Sequence, residues 1–528
     1  MINKAGTIFL ILFLVANYSF CQQNYTLLNN ESSFKYENFI YNQTTNFHTS
    51  IKPYLISEIN KYDSINSNFI IRKDNHSTNF LLNRNFIFKS KHDFNIAVNP
   101  VFETLFSADI QNNTSVYIQS VGFAANSNIT KKLSFRLNLV YNKNQYYDYL
   151  LSRIDSINII PHWGKIDKQN SDSYYFNYTT GYVSYSPTKY FNFQLGNDKN
   201  FWGDGERSLL LSDNSNAYPF FKISFNIWKI KYIVLYSFLH DIDFPDEHNY
   251  QKKYSTSHYL SWNINKRLNI SLFETVVWKA EDTLNYRKFD VNYVNPIIFF
   301  RPAEYQLGDP SPDNVLMGCG FKYKIGKSNH LYGQVIIDEF NLQEIKKFDG
   351  WWANKQGFQL GIKSYNFLSV KNLYFLTEFN YVRPYTYSHL SSLQNYGNYY
   401  QAMAHPLGAN FEESMSILRY NYKRFSIKAK FIYAVYGLDS TQNISYGQNI
   451  YKPYTYKPFE YGHETTQGLK TKFLFSEILV SYLINPKINL RLIAGVNTRQ
   501  YKTSSTNNNS SCVFVGLKTD LYNEAVDY

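Results

Sequence analysis

The sequence predicts an all-β protein: an 18-stranded antiparallel transmembrane barrel of the outer-membrane type, with a small, partly helical N-terminal segment on its periplasmic side. Three observations point there. From about residue 93, apolar and polar residues alternate with period two. The alternating runs are joined by connections that are short and long in turn. Aromatic residues are in excess, with 49 Tyr, 42 Phe and 7 Trp making 19% of 528 residues.

The chain opens on an export signal. Lys4 supplies a positive start, Ile8 to Ala16 form an apolar stretch too short to span a bilayer, and Ser19-Phe20-Cys21 place small residues at −3 and −1 of a cut before Gln22. A lipoprotein reading, with Cys21 as first mature residue, fits poorly with bulky Phe20 before it. The expected divisions are a signal peptide over 1–21, an N-terminal periplasmic segment over 22–92 and the barrel over 93–528. Cys319 and Cys512 remain after cleavage. Two distant cysteines make no disulfide framework, and they read as small apolar residues on strands. Residues 22–92 are rich in Asn, Ser and Lys, with apolar clusters such as Pro53-Tyr54-Leu55-Ile56, and show weak periodicity.

Composition excludes other classes. Charged residues are 18%, below the ~25% usual in soluble domains. A mean hydropathy of −0.40 excludes a bundle of membrane helices. The net charge is +12 and the pI about 9.1, but the 53 Lys and Arg are scattered singly, which argues against nucleic acid.

Within the barrel region the alternation is plain. Leu133, Phe135, Leu137, Leu139 and Tyr141 share one face, as do Phe425, Ile427, Ala429, Phe431 and Tyr433, while Lys, Arg, Asn and Gly fill the other. Strands are predicted over 93–106, 114–125, 133–141, 176–185, 189–197, 220–228, 231–239, 257–263, 267–278, 317–325, 330–339, 356–364, 372–382, 413–421, 424–435, 470–483, 488–498 and 512–522. In hydrocarbon, strands satisfy every backbone N–H and C=O only by closing on themselves. Lipid-facing residues are then apolar, lumen residues polar, and aromatics collect at both interfaces. The even count returns both ends of the wall to the short-turn side, as outer-membrane barrels require. The final Tyr528 resembles the aromatic recognition signal of outer-membrane assembly. A secreted β-sandwich or propeller also alternates, but leaves the regular short and long connections unexplained.

Four segments carry candidate site residues. Gly196 to Ser208 brings Asp198, Trp202, Asp204 and Arg207 together among three glycines, followed by Leu211-Ser212-Asp213-Asn214. The calcium-loop spacing is absent, and so is the Lys-Ser/Thr ending of a phosphate loop. The segment reads either as a ligand-orienting loop or as a self-paired, inward-folded loop that stiffens the barrel. Arg301 and Glu304, in Phe299 to Tyr305, are placed to bind hydroxyls or to pair with one another. Trp351 and Trp352 offer apolar faces with polar tips, suited to sugars or to the membrane rim. Arg383, Tyr385, Tyr387 and His405, with His389, suit a carbohydrate surface. No nucleophile motif surrounds a serine, and the histidines lack metal-ligand spacing, so neither catalysis, metal nor cofactor is expected.

At these segments the chain resembles a known family. GNDKNFWGDGERSLLLSDNSNAYPFFKI is similar to the signature of Wzi-like capsule assembly barrels, and more so to RemB-type gliding-motility outer-membrane proteins of Bacteroidota. FDVNYVNPIIFFRPAEYQLG, GWWANKQGFQLG and NYVRPYTYSHLSSLQNY with AHPLGANF resemble further blocks of the group, over roughly residues 50–528. The resemblance implies an 18-stranded barrel with a helical N-terminal segment, and a surface role in retaining capsular or exopolysaccharide or in gliding and spreading. The pattern residues carried over are Gly196, Asp198, Trp202, Gly203, Gly205, Arg207, Ser212 and Asn214, none catalytic. The expected partners are outer-membrane lipid, a surface polysaccharide and gliding or adhesin proteins, bound without covalent chemistry. The rival expectation is a porin-like channel, since barrels of this size can hold a pore.

Overall fold

The computed structural model describes residues 24–41, 45–59, 82–170, 172–241, 251–280, 288–297, 313–339, 341–523 and 527–528. The expected signal peptide, Arg301 and Glu304 lie outside these residues. The described chain forms a closed antiparallel barrel of 18 strands. In chain order they are β1 (Phe94–Asp109), β2 (Thr114–Asn128), β3 (Leu133–Asn144), β4 (Ser173–Tyr185), β5 (Phe191–Asp198), β6 (Tyr218–Ile227), β7 (Ile230–Asp241), β8 (Gln251–Asn263), β9 (Leu268–Lys279), β10 (Asn314–Ile325), β11 (Asn329–Glu339), β12 (Lys355–Tyr365), β13 (Leu373–Val382), β14 (Phe411–Tyr422), β15 (Phe425–Leu438), β16 (Leu469–Asn485), β17 (Leu490–Lys502) and β18 (Asn507–Thr519). Each pairs with its neighbour, and β18 closes on β1 from Cys512 opposite Asp109 to Lys518 opposite Glu103.

Every predicted strand is present. Several extend further on the long-connection side: β8 starts at Gln251 rather than 257, because Gln251-Lys252-Lys253 stand where the alternation of a lipid-facing wall no longer applies. The apolar faces point outward, with Phe425, Ile427, Phe431, Leu492 and Val515 all exposed on the wall. Aromatics gather near the short-turn end, among them Tyr185, Phe191, Trp228, Trp262, Tyr323 and Tyr422. Cys319 lies exposed on β10 and Cys512 buried on β18, both as free thiols. The eight short turns hold Lys131 and Lys132, Lys189, Lys229, Lys266 and Arg267, Lys327, Lys371, Lys423 and Arg424, and Lys487, and no acidic residue.

The N-terminal segment divides in two. Residues 24–41 and 45–59, including helix α1 (Asn30–Ile40), lie in the short-turn mouth of the barrel. The Asn29 side chain accepts from the Ser32 amide to cap α1. Buried polar groups tie this segment to the wall: Tyr25 Oη donates to Asn192 at 2.6 Å, Lys231 pairs with Glu58 at 2.7 Å, and Arg419 with Glu31 at 2.8 Å. Residues 87–91 instead form a strand paired with Phe94–Val98, so the boundary expected at 92/93 falls inside a β-hairpin.

The main hydrophobic core lies inside the barrel. Tyr41, Ile51 and Tyr54 from the N-terminal segment meet Trp202 and Leu209 to Leu211 from the β5–β6 connection, Tyr387, Tyr396 and Met403 from the β13–β14 connection, and wall residues such as Phe273, Ile336, Met415 and Phe473. Each fully buried side chain of this size contributes roughly 1.5–3 kcal/mol. The last strand, expected over 512–522, is followed by a short tail that turns inward. β18 stops at Thr519, and Tyr528 sits in the lumen with its ring 4.8 Å from Phe473. Three described polar residues after Thr519 find partners inside: Asp520 accepts from Asn29, Asn523 donates to Asp213, and Asp527 pairs with Arg207.

The outward face yields a direct test. Leu360 sits midway along β12, 49% exposed. Leu360→Arg is expected to destabilise the barrel by about 2–4 kcal/mol in urea titrations from lipid vesicles, as a charge on the lipid face near midplane does.

Candidate functional site

Two groups of the predicted residues are brought together, at different depths. The deeper group is the β5–β6 connection. Phe201 and Trp202 pair antiparallel with Lys52 and Ile51, which turns the connection into the lumen. The Trp202 ring stacks on Tyr259 at 5.2 Å. Ser208 Oγ donates to the Trp202 carbonyl at 2.6 Å and accepts from the Leu210 amide, fixing the turn that follows. Gly205 is required by the close approach: a Cβ there would stand 2.6 Å from the Glu378 carboxylate. Glu378 in turn accepts from the backbone N–H groups of Glu206 and Arg207, both at 3.0 Å. Asp198, at the end of β5, accepts from the next amide, that of Lys199.

Asp204 and Arg207 are buried and fully engaged. Asp204 accepts from Tyr41 Oη at 2.8 Å and Thr49 Oγ1 at 2.5 Å, with Lys322 Nζ at 3.9 Å and Lys363 donating to its carbonyl. Burial acts to raise the Asp204 carboxyl. The ammonium groups of Lys322 and Lys363 and the two hydroxyls outweigh it and hold the pKa at about 2, against 3.8 ordinarily. Arg207 lies 2.7 Å from Asp527 and 3.4 Å from Glu413, with Tyr528 beneath its guanidinium. Burial opposes its charge, and the carboxylates of Glu413 and Asp527 drive its pKa well above the usual range. His405 sits 2.7 Å from Glu413 and stacks on Phe411 at 4.2 Å, and its Nδ1 accepts from the Leu407 amide. The hydrogen-bond network therefore assigns the Nε2 proton to the Glu413 contact. Of the two sequence readings, the geometry matches the self-paired, inward-folded loop.

The shallower group lies at the long-connection end. The β11–β12 connection, with helix α2 (Leu342–Lys347), crosses the β15–β16 connection through backbone pairs: Gly462 N to Asp349 O at 2.8 Å, His463 N to Gly350 O at 2.9 Å and Trp352 N to Glu460 O at 3.1 Å. Gly350 adopts φ +70°, and a Cβ there would stand 2.7 Å from the His463 amide nitrogen. Trp351 and Trp352 meet edge to face at 6.3 Å, both half-buried. Trp352 also contacts Tyr454 at 4.6 Å, and Lys457 Nζ stands 4.5 Å from its ring centre. Buried Lys355 lies under Tyr454 at 4.6 Å, held by Glu339 at 3.0 Å. Arg383 donates to the carbonyl of Asn354 at 2.8 Å and to that of Trp351 at 3.4 Å, so it braces the platform from below. Exposed Phe348, Tyr456, Phe459 and Tyr461 complete the surface.

Tyr385 and Tyr387 have φ of 64° and 73°, a left-handed backbone that costs a bulky residue about 1 kcal/mol or more. Both are buried and pinned through their hydroxyls, Tyr385 to Ser445 O and Tyr387 to Leu209 O. Tyr387 thus links the platform's neighbour loop to the lumen loop. Sequence reasoning missed Tyr454, Lys457 and His463, although Tyr454-Thr455-Tyr456-Lys457-Pro458-Phe459 has the same aromatic and basic interleaving as the segments that were singled out. It also missed Glu413 and Asp527, and it singled out the segment that Glu378 opens without a role for that carboxylate; their positions on or after strands give no hint of a shared lumen network.

No protein-family model matches the chain, and no curated protein matches it by sequence. Among solved structures, the Escherichia coli outer-membrane protein Wzi, described as a carbohydrate-binding β-barrel involved in group 1 capsule assembly, is similar over 95% of this chain and 100% of its own, at 12% identity and a TM-score of 0.55. Acinetobacter baumannii OccAB2 and Pseudomonas aeruginosa OccK1 (OpdK) are similar over 80% of this chain and 97% and 98% of theirs, at 11% and 8% identity, both with TM-scores of 0.42. At these identities the likeness is one of fold.

The depressed carboxyls predict an acid response. Asp204 and Asp527, both held at about 2, stabilise the lumen network fully above their ordinary pKa near 3.8, and this contribution is lost as pH falls toward 2. Residues 24–59 are expected to resist pepsin at pH about 4 and to be cut at pH about 2. Asp204→Asn, by leaving buried lysines without their counter-charge, is expected to destabilise by about 3 kcal/mol and to give the cleaved state already at pH about 4.

Proposed function

We propose that this barrel sits in an outer membrane, short turns toward the periplasm, and holds a surface polysaccharide, capsular or exopolysaccharide, on its outer loops. The observation that carries this reading is the crossed-loop platform of Trp351, Trp352, Tyr454 and their exposed aromatic neighbours, braced by Arg383 and by the strained tyrosines above a packed lumen. Pyranose rings present apolar C–H faces that stack on such aromatics, and their hydroxyls bond to polar tips at the rim. Many weak contacts along one polymer add through effective concentration, so no single tight pocket is needed. The mechanism is binding without covalent chemistry. The fold shared with Wzi, itself described as carbohydrate-binding, supports the same reading. The sequence blocks that resemble gliding-motility proteins extend it to retention of the glycan or adhesin on which cells spread.

The porin-like alternative is less favoured, because the described residues fill the lumen with the core around Trp202 and Leu209 to Leu211. Planar-bilayer recordings distinguish the two: a large steady conductance supports the channel, and its absence the scaffold. For the glycan reading, the double variant Trp351→Ala, Trp352→Ala is expected to weaken retention of purified cell-surface polysaccharide on immobilised barrel about tenfold, near 1.4 kcal/mol. Unchanged retention by a folded variant counts against the platform. In cells, the same variant is expected to release capsule into the medium and alter colony spreading.

A further inference from the structure

The short-turn rim carries a charge pattern that neither the lumen nor the outer platform uses. Each of the eight short turns holds at least one Lys or Arg, eleven in all, and none holds Asp or Glu. In the long connections acidic residues outnumber basic ones. The net charge of +12 is therefore distributed unevenly, with one end of the barrel ringed by cations; the adjoining 87–98 hairpin adds one acid to that end, Asp93, 3.6 Å from Lys131. The ring lies where the outward apolar wall ends. In three turns a lysine ammonium stands over an exposed aromatic ring beside it in sequence: Lys189 over Tyr190 at 5.0 Å, Lys229 over Trp228 at 5.1 Å and Lys423 over Tyr422 at 5.2 Å. Trp228 is 79% exposed. An amphipathic ring at headgroup level with an ammonium beside it is how a membrane protein meets a polar lipid surface.

The geometry points to a belt for anionic phospholipid headgroups around the short-turn end, with the lysines contacting the phosphates of the adjoining leaflet. The distribution favours a lipid leaflet over a macromolecular partner. Two of these turns are neighbours, between β4 and β5 and between β6 and β7, while the third, between β14 and β15, lies across the barrel, and the other five turns around the ring are basic too. A single docked protein would touch one sector, whereas a leaflet meets the whole circumference. Lysines near an anionic surface attract its headgroups over about a Debye length, and salt screens the attraction.

The test uses the full barrel reconstituted in phosphatidylcholine vesicles containing about 30% of either brominated phosphatidylglycerol or brominated phosphatidylcholine, with tryptophan fluorescence read at low and at about 0.5 M salt. Trp228 and the outward-facing Trp262 report on lipids at this rim. The brominated glycerol lipid is expected to quench as if bound about threefold more tightly than the choline lipid, with the preference falling toward parity in high salt. The triple variant Lys189→Gln, Lys229→Gln, Lys423→Gln is expected to lose most of it. Equal quenching by the two lipids at low salt overturns the belt, and so does a preference that survives both high salt and the triple substitution. The salt comparison is made on the unaltered protein, so a variant that fails to insert does not decide the outcome.

Discussion

The constraint on which the structure depends is that backbone N–H and C=O groups have no partners in hydrocarbon except each other. A sheet that crosses a bilayer must close, and here it closes where β18 meets β1 from Cys512 to Lys518. Closure divides every strand into a lipid face and an enclosed face. The lipid face is confined to apolar residues, which leaves the enclosed face to carry nearly all of the chain's polar chemistry. The density of buried charge in this molecule follows from that division. Glu31, Glu37, Asp204, Arg207, Glu413, Arg419 and Asp527 are all buried or nearly so, and each has an opposite charge or hydroxyl within reach. Unpaired charges in such a space are expensive, so the lumen contents are selected as a set.

The fold was legible because the same constraint writes itself into the sequence at short range. Period-two alternation in runs such as Phe425 to Tyr433 needs no knowledge of distant partners, and all 18 runs proved to be strands. Ends were less legible. Once a strand leaves the bilayer, as at Gln251 to Lys253, nothing forces its outer face to be apolar, although the ladder continues. Residues 24–41, 45–59, 520–523 and 527–528 were harder still. Their polar residues have the composition of exposed segments, and only the complementary groups lining the barrel, hundreds of positions away, bring them inside.

The candidate site divides the same way. Local composition marked Trp351, Trp352 and the Gly196 to Ser208 segment, because aromatic and glycine clusters are visible in a few residues. It did not separate residues that build from residues that present. Asp204, Arg207, Tyr387 and His405 spend their polar groups within the protein, while Trp351 and Trp352 stand half-open at the outer end. Arg383 has a polar, sugar-suited side chain, yet its guanidinium is spent on the carbonyls of Asn354 and Trp351. That difference lies in the pairing of loops far apart in sequence, such as Gly350 with His463.

The link from Tyr387 Oη to the Leu209 carbonyl, together with Ser212 N to the Met403 carbonyl, joins the outer connections to the loop in the lumen, which is itself joined to residues 51–52. A hollow cylinder would let a tug on its outer loops be absorbed by bending them. In this molecule tension applied at the top passes down the axis through a solid filling and out to strands on every side of the wall. A load on the outer connections would thus strain the whole cylinder at once rather than a hinge.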